Sequence, residues 1–133
     1  MTLTTTLPTI SLDAALLHQL HLQEQRTTIL HCTYRADVVA GDWLRVWDCT
    51  LLREQGGREC RLLQAFNIAL APEWTLVDQA LYRFTLIFEG LSEDCTQFTL
   101  DESIPEPGGF FVPNIARNAS DVYQVQIREG IVF

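Results

Sequence analysis

Three histidines are the side chains in this chain best suited to hold a metal ion. His18, His21 and His31 lie near one another in the sequence, and His21 and His31 would face each other across a hairpin. No carboxylate or cysteine stands at ligand spacing beside them, so we expect surface or cross-strand histidines and no metal site. A catalytic pair of His31 with Cys32 is excluded because neighbours on a strand point to opposite faces.

The sequence shows no motif for a nucleophile or for phosphate binding. None of its serines lies in a Gly-x-Ser-x-Gly turn, which exposes a nucleophilic serine in one large class of hydrolases. The pairs Gly56-Gly57 and Gly108-Gly109 lack the helix and lysine that follow a phosphate-binding loop. We therefore expect no catalytic residues, no cofactor and no enzymatic activity.

Five acidic residues in the second half of the chain form another candidate site. Glu93 and Asp94 precede one predicted strand, and Asp101, Glu102 and Glu106 follow it. If these loops end on one rim of the domain, their oxygens could hold Ca²⁺, which prefers several oxygen ligands. The alternative is a solvated acidic edge that discourages strands of different molecules from pairing. We favour the edge and predict no metal.

The four cysteines show no spacing typical of zinc or redox sites. Cys32, Cys49, Cys60 and Cys95 are far apart, and none forms a C-x-x-C pair. Each lies in a strand-like run, so we expect reduced and mostly buried thiols. One or two disulfides, or a metal held by cysteines, remain the alternatives.

Large aromatic side chains outside the clear strands are the candidates for partner binding. Trp74 lies in a segment without alternation, and Phe110 and Phe111 follow a Pro-Gly loop. Loops often carry binding residues, and exposed aromatic side chains dominate protein interfaces. If these three side chains are exposed, they anchor a partner; if they are buried, they cap the ends of the domain.

Residues 84–100 carry the clearest structural pattern in the chain. Phe84, Leu86 and Phe88 lie at every second position, which indicates a strand with one buried face. A glycine and a polar run interrupt the alternation, which then resumes before residue 100. This pattern predicts two strands joined by a tight connection.

Further alternating runs predict strands elsewhere. These runs cover residues 16–25, 29–35, 43–47, 49–54, 58–66, 110–112 and 122–127. The first two are expected to pair as an antiparallel hairpin, and Gly56-Gly57 supplies the turn of a second hairpin. Residues 67–81 show no clear alternation, and a short helical turn near Pro72 is one option there. Pro113 is expected to end the short edge strand at residues 110–112.

About eight or nine short strands with frequent turns predict an all-β fold, either a sandwich or a barrel. We expect residues 1–13 to form a flexible arm or an edge strand, and residues 14–133 to form a single β-sandwich domain. No linker, internal repeat or low-complexity tract indicates a second domain.

The Phe84–Glu102 stretch, together with Tyr34 and the Trp43–Trp47 strand, resembles small bacterial immunoglobulin-like β-sandwich domains. Such domains occur as accessory modules beside other domains. The resemblance extends over about two thirds of the chain, which lacks the paired cysteines and core tryptophan spacing of antibody-type domains. It implies an antiparallel immunoglobulin-like sandwich and brings no catalytic residues.

Charge and hydropathy narrow the possible partners. The net charge is −8 and all nine basic residues are scattered arginines, which disfavours nucleic acids and anionic membrane surfaces. No apolar run approaches the roughly 20 residues that span a bilayer. The first residues lack the pattern of a signal peptide, which favours a cytoplasmic protein.

The sequence thus predicts a non-enzymatic binding or accessory module that contacts a protein partner, or a second copy of itself, through loop aromatics or an edge strand. Self-association through residues 110–112 would give a homodimer. The alternative is a closed β-barrel that holds a small apolar ligand, because hydrophobic residues make up 47% of the chain and spread over alternating strands.

Overall fold

A computed structural model describes residues 26–37, 39 and 41–127 of the chain. Within these ranges the chain forms strands, turns and loops, which confirms the all-β class. No helix in this part of the chain is long and apolar enough to cross a membrane. The predicted arm at residues 1–13 and the predicted strand at residues 16–25 lie outside the described residues.

The described residues contain ten strands in two sheets. In chain order they are β1 (Thr27–Arg35), β2 (Asp42–Val46), β3 (Leu51–Glu54), β4 (Glu59–Phe66), β5 (Ala69–Leu70), β6 (Thr75–Val77), β7 (Leu81–Glu89), β8 (Gln97–Asp101), β9 (Phe111–Ala116) and β10 (Val122–Gln126). Seven strands form one sheet in the order β9-β8-β3-β4-β7-β1-β10. The other three form a small sheet in the order β5-β2-β6.

Both sheets are mixed. β10 runs parallel to β1, and β5 runs parallel to β2, whereas the other neighbours are antiparallel. The wholly antiparallel arrangement predicted from the sequence is therefore wrong for two pairs of strands. The immunoglobulin-like sandwich itself stays a prediction.

The large sheet curls until it is nearly closed, like a barrel. Its edge strands, β9 and β10, follow one another in the chain, so one short turn brings the two edges together. The Phe98 ring on β8 meets the Tyr123 ring on β10 edge-on, at 5.0 Å between centroids. Apolar side chains of the described strands pack in the interior, and the largest fully buried ones are Phe88, Phe98, Leu30, Leu52, Leu86 and Leu100.

The alternation at residues 84–88 correctly identified a strand, because Phe84, Leu86 and Phe88 are all buried on β7. The tight connection after it does not make β7 and β8 neighbours, since β3 and β4 lie between them. The connecting residues instead form an arch across the end of the sheet. The Arg117 guanidinium fixes this arch by donating hydrogen bonds to the carbonyl oxygens of Ser92 and Cys95.

The hairpin predicted at Gly56-Gly57 is present. Gly57 has a φ of 99°, a left-handed conformation that favours glycine. The Glu54 amide donates to the Arg58 carbonyl oxygen at 2.8 Å, which closes the turn between β3 and β4.

Residues 67–81 form no helical turn. They contain the short strands β5 and β6, separated by a turn with a cis Ala71-Pro72 peptide. These strands flank β2, so their pairing partner is distant in sequence and leaves no local pattern.

The edge strand after the Pro-Gly loop is longer than expected. β9 continues past Pro113 to Ala116, because Pro113 lies in an irregularity of the pairing between Val112 and Ile115. Proline is tolerated at a sheet edge or bulge, where its missing amide disturbs no ladder hydrogen bond.

Candidate functional site

The outer face of the small sheet gathers aromatic side chains. On β2, Leu44 and Val46 point into the core, so Trp43 and Arg45 point outward, and Trp47 follows on the same side. On the neighbouring strand, Leu76 pairs directly with Trp43. We call this surface, made of Trp43, Arg45, Trp47, Trp74 and Leu76, the tryptophan face.

A cleft of about 130 Å³ opens in the tryptophan face. All three tryptophans of the chain line it. Trp43 is 56% exposed, Trp74 is 49% exposed and Leu76 is 56% exposed. A group of large, half-exposed apolar side chains on one face is typical of an interaction surface.

Arg45 contacts several of the residues that line the cleft. Its guanidinium carbon lies 3.8 Å from the centre of the Trp74 ring and 5.1 Å from that of Trp47. Its Nη1 donates to the Pro72 carbonyl oxygen at 3.1 Å, and its Nη2 contacts Glu106 Oε1 at 3.2 Å. The side chain is only 14% exposed, so these contacts fix the tryptophan rings before any ligand arrives.

Glu102 forms the floor of the cleft. Its Oε2 accepts hydrogen bonds from the Thr50 hydroxyl at 2.5 Å and from the Trp47 amide at 2.9 Å. Its Oε1 accepts from the Phe110 amide at 3.2 Å. The side chain is 5% exposed, and this burial raises the pKa of Glu102 against the opposing effects of its hydrogen-bond donors and of Arg45.

The Pro-Gly loop closes one side of the cleft. Pro107 and Gly108 line it, and Gly108 has a φ of 95°. A Cβ atom on Gly109 would lie 2.2 Å from the Glu102 carbonyl oxygen. The second glycine is therefore needed for the loop to pack against Glu102.

The cleft is suited to binding rather than to holding a cofactor. Small-molecule sites usually enclose roughly 300–1,000 Å³, whereas this cleft has the volume of about one side chain. Its walls combine aromatic faces with a fixed cation and the Glu106 carboxylate. Such walls suit an apolar or aromatic side chain whose backbone makes polar contacts at the rim.

The three predicted partner-binding residues occupy different places. Trp74 is exposed in the cleft, as described above. Phe110 is only 2% exposed, which agrees with the alternative that it caps an end of the domain, and its ring stacks on Phe84 at 6.0 Å between centroids. Phe111 is 43% exposed on edge strand β9 and does not line the cleft. Neighbours on an extended chain point to opposite sides, so these two rings could not both be surface anchors.

The acidic residues proposed for Ca²⁺ do not converge. Asp94 lies before β8 and Asp101 is the last residue of this five-residue extended strand, so the length of the strand separates them. Asp101 pairs with Arg53, and Glu102 is satisfied by its three donors. No cluster of three metal-binding side chains occurs among the residues that the structure describes.

The cysteines and the described histidine have ordinary environments. All four cysteines are free, and Cys49 alone is exposed. Burial raises the pKa of Cys32 to about 12 and that of Cys60 to about 11, so neither thiol ionises readily at neutral pH. His31 is exposed, and its Nδ1 lies 2.9 Å from Thr85 Oγ1. His18 and His21 lie outside the described residues.

Comparison with known proteins does not identify a relative. No family model, curated protein or solved structure matches the chain.

Proposed function

We propose that this chain is a non-enzymatic binding module that engages a protein partner, or a second copy of itself, through the tryptophan face. The single observation behind the proposal is the convergence of all three tryptophans on one cleft, with Trp43 and Trp74 about half exposed. Tryptophan and arginine are the residue types enriched at the energetic centres of interfaces.

The rigidity of the face supports this function. Arg45 is held by Trp74, Pro72 and Glu106, so the rings need little ordering when a partner binds. Fixing a rotamer-rich side chain on binding costs roughly 0.5–1.5 kcal/mol, and here that cost is met during folding. A partner that inserts one apolar side chain into the cleft would cover Trp43 and Leu76 at the same time.

The β9 edge is the weaker surface for self-association. Pro113 offers no amide there, and the pairing irregularity with Asn114 at a φ of 57° interrupts the edge. Such features discourage strand addition. We therefore propose the tryptophan face, rather than Phe111, as the contact of a homodimer.

The alternative of a barrel with a small apolar ligand draws on the nearly closed sheet. The same sheet encloses a packed interior, in which Phe88, Phe98 and Leu86 are fully buried. A ligand inside would have to displace these side chains. Native mass spectrometry after incubation with a fatty acid tests this alternative. A spectrum without any added mass would count against it.

Protein capture followed by a fluorescence titration tests the proposed function. Tryptophan fluorescence is a suitable signal because every tryptophan of the chain lies in the cleft. The experiment captures proteins from the source cell on the wild-type chain, on Trp74→Ala and on Leu63→Ala. Leu63 is a matched control, since it is 42% exposed but lies outside the cleft. A captured protein, or the chain itself at rising concentration, is then titrated while acrylamide quenching of the tryptophans is measured.

We expect binding to protect the tryptophans from acrylamide. Trp74→Ala should weaken the affinity by roughly thirtyfold, which corresponds to about 2 kcal/mol for an interface anchor. Leu63→Ala should leave the affinity nearly unchanged. A partner that binds Trp74→Ala and the wild-type chain equally well, without protecting the tryptophans, would contradict the proposal.

A further inference from the structure

A second concave surface lies on the outside of the large sheet, away from the tryptophan cleft. It is a groove of about 580 Å³, and none of its lining residues lines the tryptophan cleft. This volume falls within the range typical of small-molecule sites, roughly 300–1,000 Å³.

The strand register builds the groove as a row of side chains on one face. Thr85 on β7 pairs with Phe66 on β4 and with His31 on β1, and His31 pairs in turn with Gln124 on β10. Directly paired residues point to the same side of a sheet. The row crosses four strands and is therefore roughly 14 Å long, at about 4.8 Å between neighbouring strands.

Arg83 stands beside this row, two residues before Thr85, and so points to the same face. Five other arginines form ion pairs, namely Arg45, Arg53, Arg58, Arg61 and Arg117. Arg83 forms no ion pair with any residue in the described ranges. Arg26 and Arg35 likewise form no ion pair within the described ranges, but neither of them lines the groove.

The charges around the groove are complementary to an anion. None of the described residues that line it is acidic, although acids outnumber bases in the chain by seventeen to nine. Gln124 and Thr33 add polar groups that can donate hydrogen bonds. The contact of His31 Nδ1 with Thr85 Oγ1 orients the imidazole.

The end of the groove is fixed by Asn67. Its backbone adopts a left-handed φ of 63°, and its Nδ2 donates to the Arg83 carbonyl oxygen at 2.6 Å. The Tyr82 hydroxyl donates to the Asn67 carbonyl oxygen, also at 2.6 Å. Beside it, the Phe66 ring is 46% exposed and forms a flat apolar wall.

We propose that this groove binds a small organic anion, with a carboxylate on the Arg83 guanidinium and a planar apolar body against Phe66. The guanidinium presents two parallel N–H groups whose spacing matches a carboxylate. The aromatic wall favours a flat ligand over a compact inorganic anion. This site is separate from the tryptophan face, so either proposal stands or falls without the other.

The test uses benzoate as the probe, benzamide as its neutral counterpart and inorganic phosphate as a compact anion. Binding to the full chain is measured from the amide shifts of Thr85 and Gln124 in ¹H–¹⁵N spectra. Arg83→Gln removes the cation. Arg61→Gln is the matched control, because Arg61 is an exposed arginine on β4 that does not line the groove. The same spectra show whether each variant keeps the fold.

We expect benzoate to shift both amides saturably, and Arg83→Gln to weaken its binding at least about tenfold, the effect of one lost charge-assisted hydrogen bond. Arg61→Gln should bind benzoate as the wild-type chain does, and benzamide and phosphate should bind more weakly. The proposal is overturned if benzoate gives no saturable shift, if benzamide binds equally well, or if the two arginine variants behave alike. If phosphate binds as tightly as benzoate, and Phe66→Ala leaves this binding unchanged, the claim that the ligand has a planar apolar body against Phe66 is overturned.

Discussion

Replacing Glu102 should destabilise the protein more than replacing any exposed carboxylate. Glu102→Ala removes the acceptor of three hydrogen bonds, from Thr50, Trp47 and Phe110. A hydrogen bond to a charged group contributes roughly 1.5 kcal/mol or more, and buried donors left without acceptors add a desolvation cost. The sum predicts a loss of about 3–5 kcal/mol in the free energy of unfolding. Native domains have about 5–15 kcal/mol in total, so this variant would be severely weakened.

Glu102→Gln keeps the test measurable if the alanine variant fails to fold. The amide oxygen of the introduced glutamine can still accept from Thr50 and Trp47. Its NH₂ group then faces the Phe110 N–H, and because both groups are donors, that hydrogen bond is lost. We expect a loss of about 1–2 kcal/mol. The matched control is Glu59→Gln, because the Glu59 side chain is 52% exposed and pairs with Arg53, which is itself 39% exposed. An exposed ion pair contributes at most about 1 kcal/mol.

Urea unfolding at neutral pH measures these free energies. The midpoint should fall for the Glu102 variants while the slope stays unchanged, because the fold and its buried area are retained. Equal losses for Glu102→Gln and Glu59→Gln would refute the role of Glu102 as the buried acceptor that joins the cleft floor to the Pro-Gly loop.

Three further outcomes are expected. Burial alone would raise the pKa of Asp121, but hydrogen bonds from Arg117 and Tyr123 outweigh it and lower this pKa in the folded state. The contribution of Asp121 to the free energy of unfolding is therefore present above its ordinary pKa and is lost as the pH falls through its folded-state pKa. In urea unfolding, Asp121→Asn should cost about 2 kcal/mol at neutral pH and progressively less below about pH 4. Gly109→Ala should cost about 1–3 kcal/mol in the same assay, because the added Cβ would clash with the Glu102 carbonyl oxygen. Gly56→Ala should be nearly neutral, because a Cβ there meets nothing within 4 Å. Equal losses for the two variants would contradict the packing of the Pro-Gly loop against Glu102. Iodoacetamide should label Cys49 in the native protein long before Cys60, and mass spectrometry showing the opposite order would contradict the burial of Cys60.

Local alternation was enough to locate most strands. Phe84, Leu86 and Phe88 are buried as their spacing predicted, and the run at residues 122–127 contains the strand β10. The order of strands could not be predicted in this way. The parallel pairing of β10 with β1, and the separation of β7 from β8, depend on contacts between residues distant in sequence.

Part of the candidate site could be predicted from the sequence. A strand was predicted at residues 43–47, and in such a strand Trp43, Arg45 and Trp47 share one face. Trp74 was named as a binding candidate. Their convergence depends on the Arg45 contacts with Trp74 and Pro72, which have no periodic signal. The burial of Glu102 did leave a signal, since it continues the alternation of Phe98 and Leu100 on the buried face of β8.

Site-specific photo-crosslinking tests the central claim most directly. A benzophenone amino acid is placed at Leu76, beside Trp43 on the tryptophan face, or at Leu63 as a control of similar exposure outside it. The variants are irradiated in the source cell and analysed by mass. We predict a discrete adduct, either with a partner protein or with a second copy of the chain, from position 76 and none from position 63. Adducts from position 63 alone, or from neither position, would contradict a binding role for the tryptophan face.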